Sequence, residues 1–199
     1  MSTKIINKQT IRIMSVFTKN INESMHGREI ARKLKANQKT INTNLNLLKK
    51  ERILVSRKKG RNIEYSINKE NIIAKHMLVI CEHYKFIKAA SENFQICSIA
   101  SDIARAASGI AVIYGSYAKG TAEKDSDMDI LIVGGCKKER LQAAKNRSPI
   151  ELHVMVLDST SFANSLMKKE NFIKEIINDH IIIKGFEEFI EMRLEYGSD

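Results

Sequence analysis

Two apolar runs bracket a short polar segment in the second half of the chain, and that segment limits the possible folds more than any other feature. Ile110-Ala111-Val112-Ile113-Tyr114 is apolar enough for a buried strand. Gly115-Ser116 follows, then ten residues, then Asp127-Met128-Asp129 at the head of a second apolar run ending at Val133. Side chains alternate faces along a strand, so Asp127 and Asp129 share one face. Met128, Ile130 and Leu131 begin the apolar strand that holds the pair rigid. Two carboxylates held this close repel unless a cation bridges them, and Mg²⁺ is the natural partner. At Gly115 the missing side chain lets backbone N–H groups approach a phosphate, and Ser116 adds a hydroxyl donor. A third carboxylate, Glu151, opens a further strand expected over 151–157, beside the Asp pair. Three carboxylates suit a two-metal site, whose ions, about 3.5–4 Å apart, stabilise the attacking and leaving oxygens of an in-line phosphoryl displacement. His153, on the same face as Glu151, is expected to be structural.

Charge divides the chain. Residues 1–70 carry 17 Lys and Arg against 5 Asp and Glu, whereas residues 71–199 carry 16 against 18. The whole net charge of +10 therefore resides in the first third. A basic segment of this kind suits a polyanion, because Lys and Arg release counterions when they neutralise phosphates.

The basic third has its own periodicity. Helices are expected over 8–19, 27–35 and 38–51, the last capped by Asn37 and burying Ile41, Leu45 and Leu48. Strands at 53–55 and 63–67 follow, with Arg57-Lys58-Lys59-Gly60-Arg61-Asn62 as the hairpin tip. With Ile41, Leu45 and Leu48 facing the core, the opposite face of the third helix shows Lys39, Asn42, Thr43, Asn46 and Lys50. Asn and Thr can hydrogen-bond base edges, and Lys contacts phosphate. Arg57, Lys58, Lys59 and Arg61 at the tip are placed for a neighbouring phosphate strand. The Arg28-to-Leu34 helix, the Thr40-to-Leu48 helix and the Gly60-to-Tyr65 hairpin resemble winged helix-turn-helix transcription regulators. That resemblance implies DNA as a partner, although winged helices also serve as protein-docking modules.

The Gly115-Ser116, ten-residue, Asp127-x-Asp129 pattern resembles the minimal nucleotidyltransferases of the polymerase-β superfamily. Lys119-Gly120, Ser126, Phe172 to Ile176 and Ile181 to Phe189 are also similar. The resemblance implies transfer of a nucleoside monophosphate from an NTP, ATP in first place, with release of pyrophosphate. It assigns Gly115, Ser116, Lys119 and Ser126 to the nucleotide, and Asp127, Asp129 and Glu151 to catalysis and to two Mg²⁺ ions. Many members have Asp at the third position, so Glu151 is a departure. Some small members are antitoxins that adenylylate a partner ribonuclease toxin, which makes a protein toxin a candidate acceptor.

The expected fold class is α+β: an N-terminal winged helix-turn-helix (1–70), a connecting helix (71–95), and a polymerase-β-like mixed sheet flanked by helices (96–199). A competing reading is a transcription regulator whose second domain only senses nucleotide or dimerises. A third, modification of a small molecule such as an antibiotic, leaves little chain after Asp158 for an acceptor pocket. A second copy of the chain is a further candidate partner. No run of about 18 apolar residues exists, so no membrane span is expected. Met1-Ser2-Thr3-Lys4 lacks the apolar core of a signal peptide. Cys81, Cys97 and Cys136 have no zinc-type spacing, and free thiols in a reducing cytoplasm are expected.

Overall fold

The computed structural model describes residues 5–19 and 21–196. The Met1-to-Lys4 segment, on which the expectation about a signal peptide rests, and residues 197–199 lie outside them. Among the described residues no helix is long and apolar enough to cross a membrane, and all three cysteines are free thiols. The chain forms two compact units, the first ending at Cys81 and the second beginning at Glu82.

In the first unit the order is α1 (Lys8–Phe17), β1 (Met25–His26), α2 (Gly27–Lys33), α3 (Gln38–Lys50), β2 (Leu54–Lys59) and β3 (Asn62–Ile67), followed by the start of α4 (Ile72–Glu92). Asn7 caps α1 by accepting from the Gln9 and Thr10 N–H groups, and Asn37 caps α3 by accepting from Lys39 and Thr40. Ile13, Phe17, Ile30, Ile41, Leu45 and Leu48 are fully buried between the helices. Gly27 eases the approach of α2 to α3, since a Cβ there would stand 2.8 Å from Asn42 Oδ1 and oblige that side chain to turn.

The three strands form an antiparallel sheet in the order β1-β3-β2. The hairpin is longer than its sequence pattern predicts. Lys59 pairs with Asn62, leaving only Gly60 (φ +60°) and Arg61 in the turn, so Arg57, Lys58 and Lys59 lie along β2 itself. Strand pairing extends through them because the long basic side chains reach water while the backbone closes the ladder.

The second unit holds the rest of α4, then α5 (Phe94–Ala106), β4 (Ile110–Tyr114), α6 (Gly115–Lys119), β5 (Met128–Val133), α7 (Lys138–Arg147), β6 (Leu152–Leu157), α8 (Ser159–Met167), α9 (Asn171–Asn178), β7 (Ile181–Lys184) and α10 (Phe186–Tyr196). Its mixed sheet runs β6-β5-β4-β7, with β5 and β6 parallel and the other pairs antiparallel. The apolar run Ile181-Ile182-Ile183 is thus part of an edge strand paired with β4. Alternation divides the sheet cleanly. Ala111, Ile113, Ile130 and Ile132 pack under α5 and α7, while Val112, Leu131 and Val133 pack under α8, α9 and α10.

One polar cluster lies inside this unit. Glu82 is fully buried, with Oε2 2.6 Å from Lys85 Nζ and 3.2 Å from His180 Nε2. His180 Nδ1 is 3.0 Å from the carbonyls of Ile176 and Ile177. Carbonyls only accept, so Nδ1 carries a proton, while Nε2 lies between Glu82 and Lys85 Nζ, 3.0 Å from the latter.

Candidate functional site

The antiparallel pairing of β4 and β5 sets Tyr114 opposite Asp129, so the Gly-Ser turn leaves β4 directly beside the carboxylates. Gly115 has φ +68°, and a Cβ on it would clash with Asp129 Oδ2. Glycine is thus required there twice, by backbone conformation and by close approach. Gly115 and Ser116 begin the short helix α6, and Gly120 (φ +72°) ends it. The loop then returns under local bonds. The Tyr117 hydroxyl donates to the Ser126 carbonyl (3.3 Å), and the Glu123 N–H donates to Ser126 Oγ (2.8 Å). These bonds deliver Asp127 to the head of β5.

The parallel pairing of β5 and β6 puts His153 beside Asp129, and the Met128 N–H donates to the Glu151 carbonyl at 2.9 Å. Asp127, Asp129 and Glu151 therefore gather at one end of the sheet. Asp127, Glu151 and His153 each offer one ligand atom, and those atoms lie within 4.8 Å of one another. His153 stands among all three carboxylates. Its Nε2 is 3.2 Å from Glu151 Oε1 and 3.8 Å from Asp127 Oδ2, and its Nδ1 is 3.7 Å from Asp129 Oδ1. Among the described residues it is their one ion-pair partner. Its place in the cluster comes from strand register, to which spacing along one chain segment gives no access.

Tyr114 lines the neighbouring wall, edge-on to Phe172 of α9 at 5.5 Å between ring centres. Burial pushes its hydroxyl pKa up, and the charges of Asp129 and Glu175 push it the same way. Lys119 Nζ donates to Glu175 Oε1 at 2.5 Å, and that bond raises the lysine pKa. Of the residues expected at the nucleotide, Gly115 and Ser116 thus sit beside the carboxylates. Lys119 is paired with α9, and Ser126 Oγ is engaged within its own loop.

The sequence profile of the nucleotidyltransferase domain matches residues 96–196, half of the chain. The chain belongs to the nucleotidyltransferase domain family. No curated protein matches it. The nucleotidyltransferase domain spans the whole sheet and its flanking helices from α5 to α10. Its residues fit a divalent cation: the carboxylates of Asp127 and Glu151 converge with the His153 nitrogen, Asp129 lies 3.7 Å from the other ring nitrogen, and the cradle at Gly115 is one that a Cβ would fill.

In the first unit, Lys39, Asn42, Thr43, Asn46 and Lys50 are all exposed on α3, and Arg57, Lys58, Lys59 and Arg61 are exposed on the hairpin. Two of the α3 side chains are engaged locally. Asn42 Oδ1 accepts from Gln38 Nε2 (3.2 Å), and the Thr43 hydroxyl donates to the Lys39 carbonyl (3.0 Å). Lys59 Nζ lies 3.4 Å from Glu64, whose carboxyl is held below its usual pKa first by the Ser24 hydroxyl. Arg57, Lys58 and Arg61 form no ion pair among the described residues. An open groove of about 640 Å³ runs between α3 and β3, lined by Arg28, Arg32, Gln38, Asn42, Asn46 and Arg61. Arg28 and Arg32 belong to this surface although the sequence pattern assigns them only to the α2 helix.

Proposed function

We propose that the protein is a metal-dependent transferase that moves AMP from ATP to an acceptor hydroxyl on a partner protein, and that its first unit is a winged helix-turn-helix that binds DNA. The observation that carries the catalytic half is the convergence of Asp127, Asp129 and Glu151 beside the Gly115-Ser116 turn. When bound, divalent cations neutralise the triphosphate and stabilise the attacking and leaving oxygens. Asp127 and Asp129 would hold those ions, with Glu151 completing the set. Ser116 and the backbone after Gly115 receive the phosphates. The acceptor oxygen forms a bond to the α-phosphorus as the bond to pyrophosphate breaks, and pyrophosphate leaves with that electron pair. Glu151, the most exposed of the three at 70 %, takes the acceptor proton. Lys119 and Ser126 support the turn from behind, through Glu175 and Glu123.

Calorimetry of Mg²⁺ with ATP, GTP, CTP or UTP tests this without an acceptor. The wild type is expected to bind at least one nucleotide, and Asp127→Asn with Asp129→Asn to lose that binding. Failure of the wild type to bind any nucleotide refutes the catalytic reading and leaves regulation through the first unit.

Support for DNA comes from the exposed basic hairpin beside the polar face of α3, with Arg28, Arg32 and Arg61 lining the groove between them. Changing Lys58, Lys59 and Arg61 to Ala is expected to weaken binding and to flatten the dependence of log K on log salt by about 2–3. Lys59 should contribute least, since Glu64 already neutralises it. A slope that stays the same refutes the DNA interface.

A further inference from the structure

His153 is held at the carboxylates by backbone register, opposite Asp129 in the parallel β5–β6 ladder. Its side chain is 53 % exposed, so packing does not explain its position. Ligands at right angles around an ion at about 2.1 Å stand roughly 3 Å apart. The distances from Nε2 to Glu151 (3.2 Å) and to Asp127 (3.8 Å) lie within a small side-chain rotation of such edges. The ring also presents the orientation usual for a metal-binding imidazole. Nε2 faces the two ligand oxygens, and Nδ1 faces a carboxylate, Asp129, at 3.7 Å.

Mg²⁺ prefers oxygen donors, whereas imidazole nitrogen favours later first-row dications. We propose that Asp127, Glu151 and His153 form a mixed nitrogen–oxygen subsite that takes a first-row transition-metal dication, such as Co²⁺ or Zn²⁺, in preference to Mg²⁺. Asp129 and Asp127 are left to face the ion that accompanies the nucleotide. The inference rests on the reading of this site as a metal-dependent nucleotidyltransferase centre. It makes the histidine, absent from a purely carboxylate site, the selector of the metal.

The test uses the full chain without nucleotide. Co²⁺ is titrated by visible absorption, which reports nitrogen ligation directly, and Mg²⁺ by calorimetry. The wild type is expected to bind Co²⁺ at least about tenfold more tightly than Mg²⁺. His153→Ala should lower Co²⁺ affinity by about tenfold or more, shift the absorption bands, and change Mg²⁺ affinity less than about threefold. His153→Asp should restore binding without the preference. Melting curves of both variants should overlay the wild type, as the side chain is half exposed. Equal loss of both ions, or Co²⁺ binding indifferent to His153→Ala, overturns the proposal. Calorimetry of Mg²⁺ with ATP on the Asp127→Asn, Asp129→Asn protein separates the two failures. Nucleotide binding that needs the Asp pair while Co²⁺ ignores His153 refutes the subsite alone, and absence of both ion and nucleotide binding refutes both readings.

Discussion

Gly115→Ala is expected to lower nucleotide transfer by on the order of a hundredfold, as reactant misplacements of about 1 Å do. The added Cβ would clash with Asp129 Oδ2, so the carboxylate must turn away from its place beside His153. The backbone at φ +68° adds strain of about 1–2 kcal/mol for any residue with a side chain. The two contributions can be separated. Gly120 has a similar φ of +72°, but a Cβ there meets nothing within 4 Å. Gly120→Ala should therefore match the loss of stability while leaving Mg²⁺-dependent nucleotide binding within a few-fold of wild type. Calorimetric titration with ATP and melting of both variants give the comparison. Equal losses of nucleotide binding would show that strain in the turn, and not displacement of Asp129, controls the site.

Glu82→Ala is expected to destabilise the second unit by roughly 3–5 kcal/mol, because it breaks a buried charge cluster on one side only. Lys85 is 32 % exposed and can swing toward water. Arg193 cannot, since it is buried, with its guanidinium 5.7 Å from the Phe189 ring centre. Burial lowers the Arg193 pKa to about 10, and the Glu82 charge works against that loss. Urea titration of the whole chain, read from the Ile methyl resonances of β4 by NMR, isolates this unit. A change below about 1 kcal/mol would mean that water reaches the cluster and screens it.

The same cluster sets a pH dependence. Burial, helped by the Lys85 charge, pushes the His180 imidazole down to about 4. An unfolded histidine titrates near 6.5. Between those values the unfolded chain binds a proton that the folded chain refuses, so stability falls as pH drops from about 6.5 to 4. The expected loss from this group between pH 7 and 5 is roughly 1–2 kcal/mol. Burial opposes the Glu82 charge, but His180 and Lys85 more than offset it, so its carboxyl stays below the usual range. Its contribution is lost only at more acid pH, below about 4.5. His180→Gln should flatten the profile between pH 7 and 5, and a slope that persists in the variant would place the titrating group elsewhere.

The core of the candidate site is legible in the sequence. The Gly115-Ser116 to Asp127-x-Asp129 spacing named the turn and two carboxylates, since a strand with period two states which residues share a face. The same reasoning placed the buried face of α3, the Asn37 cap, and strands β4 and β5. Each of these depends on residues a few positions apart, and local periodicity and hydrogen bonding encode them directly.

What near neighbours leave open was decided by distant partners. His153 shares a face with Glu151 by strand period alone, but the β5–β6 register is what sets it opposite Asp129. The apolar run at Ile181 is β7 because β4 offers it an edge to pair with. Lys119, which the family resemblance assigns to the nucleotide, also meets Glu175, 56 positions away. Glu82 carries no sign of burial in its own helix, and it is tolerated there because the chain brings back His180 and Arg193 to surround it. The sequence by itself determined the local elements and the paired carboxylates, through the burial pattern of near neighbours. Tertiary structure alone decided which strands pair and which charges meet, because those choices minimise exposed apolar surface and unpaired polar groups over the whole unit, a sum that no single segment contains.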